Sequence, residues 1–371
     1  MYAIVYTIGM VILWVVNLFN GTGLGAQYRT AETAMVVALI VAVCCLAAQS
    51  LRQGDLEISH KYFYTVIPLA VIILATLYIK GYSLLNIRGY WGFLITFILS
   101  KTSPNKKAIR MTAIAYGVLG LFILYVYGYT DTLKGWNENA IAIIGLFSFL
   151  VFCIPFYGMR EWRSFVMMPL IGAAYVFLIL PTGSRSCILM IVIQLLLVLR
   201  VVPIRRVLAK KKGIALLLQI PLFIAVFVVL VSIFGNMAGL MQWSYETFNK
   251  PLFNGRDEMW LAGFRAMREN LFFGNGDLTY AQWHNCAIAC LVSTGIVGYV
   301  LWIRLFYLIL NEGRHHLDDT CVVGAMVAFV VLFGHQSVEL GIFALSPNII
   351  PYVVLGIVLG RVRHLKGKEL A

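Results

Sequence analysis

Apolar residues run through this chain in unbroken stretches of about 17–20 positions, the length an α-helix needs to cross a bilayer. They do not alternate with polar residues, which argues against the strands of a barrel. The stretches fall at 2–20, 33–50, 62–80, 88–100, 111–129, 140–157, 164–180, 186–202, 214–234, 285–310, 321–338 and 345–362. Only a helix or a closed barrel satisfies its backbone in lipid, so the pattern predicts an all-α polytopic membrane protein of about twelve transmembrane helices. The first stretch lacks a basic leading segment and a small-residue cleavage site, and reads as a retained span. One integral membrane domain covers 1–371, interrupted by one long polar loop, 235–284.

Composition narrows this further. Hydrophobic residues make up 61% of the chain and charged residues 12%, too little polar surface for a water-soluble domain. The seven cysteines fall almost entirely inside apolar stretches and read as small buried hydrophobes. Cys286 and Cys290 share a helix face, but no matching His or Cys pair accompanies them, so no metal site is expected.

Charge sets the orientation. With the N-terminus in the cytoplasm, 20 of the 29 basic residues fall in inside loops, and the net +13 lies wholly on that side. The positive-inside rule then places both termini in the cytoplasm and the 235–284 loop outside. This excess is a topology signal and gives no support for nucleic-acid binding, which needs a folded basic surface of its own. No phosphate-binding G-x-x-x-x-G-K-[ST] sequence occurs, and no inverted duplication of the transporter kind is visible.

The long loop carries the polar chemistry. Asn254, with Asp257 three residues on, is positioned to cap a helix over about 255–270. Met259, Trp260, Phe264, Met267 and Leu271 recur every three or four positions and form an apolar stripe, with Arg265 and Arg268 opposite. The helix should lie along the outer membrane surface. Gly274 and Gly276 end it, and His284 follows at the mouth of the tenth stretch, with Asn285 placed to cap that span. A second outer element, P-T-G-S-R-S at 181–186, sets Arg185 at a helix end beside lipid. An arginine there is costly unless it meets a partner, and its planar fork suits a phosphate; snorkelling to the interface is the plainer reading.

These elements resemble the Wzy-type O-antigen and capsule polymerases and the WaaL-type O-antigen ligases. The resemblance is carried by T-G-S-R-S at 182–186, by G-R-D-E-M-W-L-A-G-F-R-A-M-R-E-N-L-F-F-G-N-G at 255–276, and by H-N at 284–285 followed by G-I-V-G at 295–298. W-N-E-N-A-I-A at 136–142 is similar to an outer-loop N-P-N element of the polymerases. Asn270-Leu271 stands where the family has Asn/His-Pro, and Glu138 where it has the proline of N-P-N.

The resemblance implies a GT-C-like glycosyltransferase that moves a glycan from undecaprenyl pyrophosphate to an acceptor hydroxyl at the outer face of a bacterial cytoplasmic membrane. The implied partners are that donor, a glycan acceptor, membrane lipid and a chain-length regulator. Arg185 and Arg256, with Arg265 as a third candidate, would neutralise the leaving pyrophosphate. His284 would be the general base, with inversion at the anomeric carbon and neither metal nor cofactor. Asn137, Asn139 and Arg88 are candidate substrate contacts. His335 and Glu339, four apart, are expected to form a polar pair on one helix, Glu339 being the second candidate for base or sugar contact. Polymerase is favoured over ligase by the W-N-E-N element. A lipid-linked oligosaccharide flippase and a non-catalytic export scaffold are the other classes in view.

Overall fold

A computed structural model describes residues 2–22, 60–81, 92–133, 136–158, 162–235, 237–248, 251–276, 283–339, 342 and 348–369. Their regular elements are all helices, with no strand among them. The α-helices are α1 (Tyr2–Thr22), α2 (His60–Ile79), α3 (Gly92–Lys101), α4 (Lys106–Tyr129), α5 (Glu138–Cys153), α6 (Trp162–Ile179), α7 (Arg185–Val198) and α8 (Ile204–Leu208). There follow α9 (Lys211–Leu217), α10 (Ile220–Phe234), α11 (Ala238–Phe248), α12 (Arg256–Glu269), α13 (Cys286–Gly313), α14 (Thr320–His335) and α15 (Ile350–Glu369).

Among the described residues, six helical stretches are long and apolar enough to cross a membrane, or seven if the bent pair α9 and α10 is one span. The expected stretch at 33–50 lies outside the described residues. The expected spans at 88–100, 186–202 and 321–338 appear as α3, α7 and α14, of 10, 14 and 16 residues, shorter than a full crossing. The expected span at 214–234 appears as two helices bent by 51°, one crossing if the pair is a broken span. Pro221 in the first turn of α10 cannot continue the preceding helix's hydrogen bonds.

The surface shows why the bundle belongs in lipid. Phe63, Ile67 and Val71 on α2, Val118 and Phe122 on α4, Leu170 and Phe177 on α6, and Phe227 on α10 are all exposed. Polar groups are turned inward and tie helices together. Trp14 Nε1 donates to Ser148 Oγ at 2.8 Å, Tyr116 donates to the Met10 carbonyl and Tyr175 to the Gly117 carbonyl. Small residues let the helices close up: a Cβ on Gly145 would lie 2.6 Å from Leu124. Thus α4 packs along α5, α1 covers both, α3 lies along α15, and α14 touches α5, α7 and α15.

Helix α13 is broken. Gly295 has φ 66 and ψ −173, a conformation essentially confined to glycine. An intact helix would pair the amides of Ile296 and Val297 with the carbonyls of Val292 and Ser293. Instead, those amides donate to the carbonyls of Leu271 and Phe272, while the amides of Asn275 and Gly276 donate to Val292 and Ser293. The segment after α12 is therefore laced into the break and satisfies the groups that the break exposes. The approach is close enough to exclude side chains: a Cβ on Gly295 would lie 2.3 Å from the Phe272 backbone, and one on Gly274 2.4 Å from Ser293.

Candidate functional site

The loop helix α12 differs at its start from the sequence expectation. Asn254 does not cap it. Asn254 and Gly255 both take positive φ, 53 and 74, and turn the chain so that Gly255 occupies the cap position without a side-chain hydrogen bond. Asp257 instead accepts from Ser232 Oγ at 2.8 Å, fastening α12 to α10. Trp260 is buried in a small core with Ala225, Val228, Val229, Ile288 and Val292, so the stripe faces the bundle. Arg256 lies on this packed side, one turn before Trp260. Arg265 is nine residues further, two and a half turns, and sits exposed on the opposite face with Arg268.

The turn carrying His284 is fixed on both sides. The Trp283 carbonyl accepts from Trp260 Nε1 at 2.6 Å. Asn285 caps α13 by accepting from the amides of Ala287 and Ile288, as its position predicts. Its own amide group donates to the carbonyls of Pro221 and Ser337, at 2.8 and 2.9 Å. The Cys286 amide donates to the Gln336 carbonyl at 2.9 Å. One asparagine thus ties the starts of α10 and α13 to the turn after α14. His284 between these anchors takes φ 43, a strained value for a non-glycine residue.

That turn delivers Glu339. The expected His335–Glu339 pair on one helix does not form, because α14 ends at His335 and 336–338 are a turn. Glu339 Oε1 instead accepts from Arg256 Nη2 at 3.0 Å, and Oε2 lies 3.2 Å from His284 Nδ1. Its side chain is 9% exposed, against 23% for Arg256 and 39% for His284, so the carboxylate is the buried bridge and the imidazole is the open end. Burial alone would raise the Glu339 carboxyl; the hydrogen bond from His284 and the charge of Arg256 outweigh it and hold it below its ordinary value. Burial lowers the Arg256 guanidinium, Glu339 opposes that, and the like charge of Arg185 adds to the lowering. Arg185 therefore stands close enough to be felt by Arg256.

His335 serves the frame. It is fully buried, with Nε2 3.3 Å from Ser186 Oγ and 3.5 Å from Cys187 Sγ, and its ring meets Phe147 edge-on. It joins the end of α14 to the start of α7, which fixes Arg185 relative to Glu339. The structure brings together Arg185, Arg256, His284 and Glu339. It leaves Arg265 outside that group. Asn137 is spent as the cap of α5, accepting from the Ala140 amide at 3.2 Å, and Asn139 is exposed beside it. Arg88 lies outside the described residues. The bridging role of Glu339 is hidden in the sequence by its 83-residue separation from Arg256. The available signal was an acid at the end of an otherwise apolar stretch. Among the described residues, no three His, Cys, Asp or Glu side chains converge as metal ligands.

Neither the protein-family models nor the curated protein sequences compared with this chain match it.

Proposed function

We propose that the chain is a membrane glycosyltransferase that polymerises oligosaccharide repeat units carried on undecaprenyl pyrophosphate. In this reading about twelve spans cross a bacterial cytoplasmic membrane, both termini are cytoplasmic, and the Arg256–Glu339–His284 cluster faces outward. The observation that carries it is Glu339 bridging a guanidinium and an open imidazole, with a second arginine near the first.

Glu339 selects the His284 tautomer with the proton on Nδ1, leaving the Nε2 lone pair for an acceptor hydroxyl. The hydroxyl oxygen bonds to the anomeric carbon as its proton passes to Nε2. The anomeric carbon–oxygen bond to pyrophosphate breaks on the opposite face, inverting the centre. Arg256 and Arg185 take up the charge developing on the leaving oxygens, work that a metal ion does in other phosphate-leaving reactions. As pyrophosphate draws Arg256 to itself, Glu339 becomes the counter-ion of the imidazolium. The same carboxylate so serves the resting site and the charged one.

The test is elongation by purified protein supplied with a lipid-linked repeat unit. His284→Ala should insert normally and lose at least about 10²-fold in rate. Arg185→Lys and Arg256→Lys should each lose most activity although the charge remains, because lysine lacks the fork. A near-normal rate for His284→Ala would remove it as the base. Transfer only to lipid A-core would make the enzyme a ligase, and lipid movement across vesicles without glycan transfer would make it a flippase.

A further inference from the structure

Helix α7 carries arginines at both ends. Beyond its far end, Tyr157, Arg200, Pro203, Arg205, Arg206 and Ala209 line a cavity of about 450 Å³. Fourteen helical residues separate this end from Arg185, roughly 21 Å, so the cavity is distinct from the Arg256–Glu339 cluster.

The arginines are seated, not trailing. Arg200 takes φ 61, rare for a side chain of its size. The Gly158 amide donates to the Val198 carbonyl at 3.1 Å and brings the two segments together. The Arg200 guanidinium lies 5.5 Å from the centre of the Tyr157 ring, within cation–π range. It also rests on Gly158, where a Cβ would fall 2.0 Å from Nη2. Helix α8 then buries Ile204 and Leu208 and leaves Arg205 and Arg206 exposed. Among the described residues, these three arginines meet one carboxylate, that of Asp318, which pairs with Arg205. That carboxylate is 98% exposed, so an anion can displace it at little cost. Leu196, Val201, Val202 and Val207, neighbours in sequence of the lining residues, are exposed and apolar. Cations on an apolar rim mark a water–lipid boundary.

We propose that this cavity binds the phosphate of an anionic lipid headgroup, with Arg200 and Arg206 as its forked donors and the valine rim against the acyl chains. The volume suits a glycerophosphate headgroup, and a guanidinium pair selects a phosphate oxyanion bidentately. Free phosphate has the same donor requirement and lacks the chains.

The experiment uses the full chain in non-ionic detergent, where no bilayer surface charge contributes. Phosphatidylglycerol, phosphatidylcholine and inorganic phosphate are each titrated, with retention read by native mass spectrometry and Tm measured alongside. Phosphatidylglycerol should be retained and raise Tm. At about tenfold for each charge-assisted hydrogen bond lost, the double substitution Arg200→Gln with Arg206→Gln should weaken retention about a hundredfold. Lys211→Gln with Lys212→Gln removes the same charge outside the cavity and should leave retention unchanged. Should the first pair fail to fold, Arg206→Lys keeps the charge, removes the fork and should weaken retention several-fold. Equal loss in the lysine pair, equal retention of phosphatidylcholine, or wild-type retention by Arg206→Lys each overturns the proposal. Competition by inorganic phosphate at the lipid's own concentration would assign the cavity to free phosphate.

Discussion

Arg256 and Arg265 show what one helix does to two equal residues. Sequence order places both in the long polar loop, and that grouping makes both candidates for the pyrophosphate. The helical period separates them, because nine residues turn the chain through half a revolution beyond two turns. Only Arg256 meets Glu339. That partnership rests on a contact across 83 residues, which no local pattern encodes. His284 and Asn285 were legible because a cap and a span mouth are local signals. Glu339→Gln should keep the bundle and cut transfer by about 10²-fold, since the amide cannot hold a protonated imidazole as a counter-ion. It should also remove a pH effect. A carboxyl held below its ordinary value stabilises the folded state fully above that value, 4.5, and the contribution is lost as pH falls through the depressed one. Melting temperatures of the wild type and Glu339→Gln should therefore differ by a constant amount above pH 4.5 and converge as pH falls below it.

Elements were legible wherever an apolar run is continuous, because a run buried or lipid-facing all round has few ways to fold. Helices α2, α4, α5 and α6 follow their predicted ranges closely. The departures are short helices, α3, α7 and α14, and breaks. Pro221 bends the α9–α10 pair and carries its carbonyl to Asn285, and Gly295 opens α13. The glycines of G-N-G and G-I-V-G are legible as motifs, the first read as a helix end and the second as part of a span. Their close contact with each other is a tertiary fact. Gly295→Ala combines a forbidden φ with a Cβ 2.3 Å from Phe272, and should cost about 1–3 kcal/mol. Melting in detergent should show the loss. Transfer activity should fall further than stability does, because the displaced segment continues from α12 and Arg256.

Across the whole molecule, charge is sorted by end. Lys61 and Lys366 pair with Glu312, Arg205 with Asp318, and Arg361 and Lys106 with Asp319. Residues that the charge rule assigns to one side thus pair with residues it assigns to the same side. Arg185, Arg256, His284 and Glu339 group at the other end of α7 and α14. Cysteines introduced at Asn139 and Lys212 should accordingly be labelled from opposite faces of intact cells by an impermeant thiol reagent. Labelling of both from one face would overturn the orientation. The lacing of 271–276 into α13 also bears on how this protein can be recombined. The long loop and the apolar helix beside it share one set of backbone hydrogen bonds, so they are inherited as one part. A chimera that exchanges the loop alone would strand amides inside the bundle. Exchange from Asn254 through Gly298 as one cassette would carry both halves of the seam and spare the remaining helices any rebuilding.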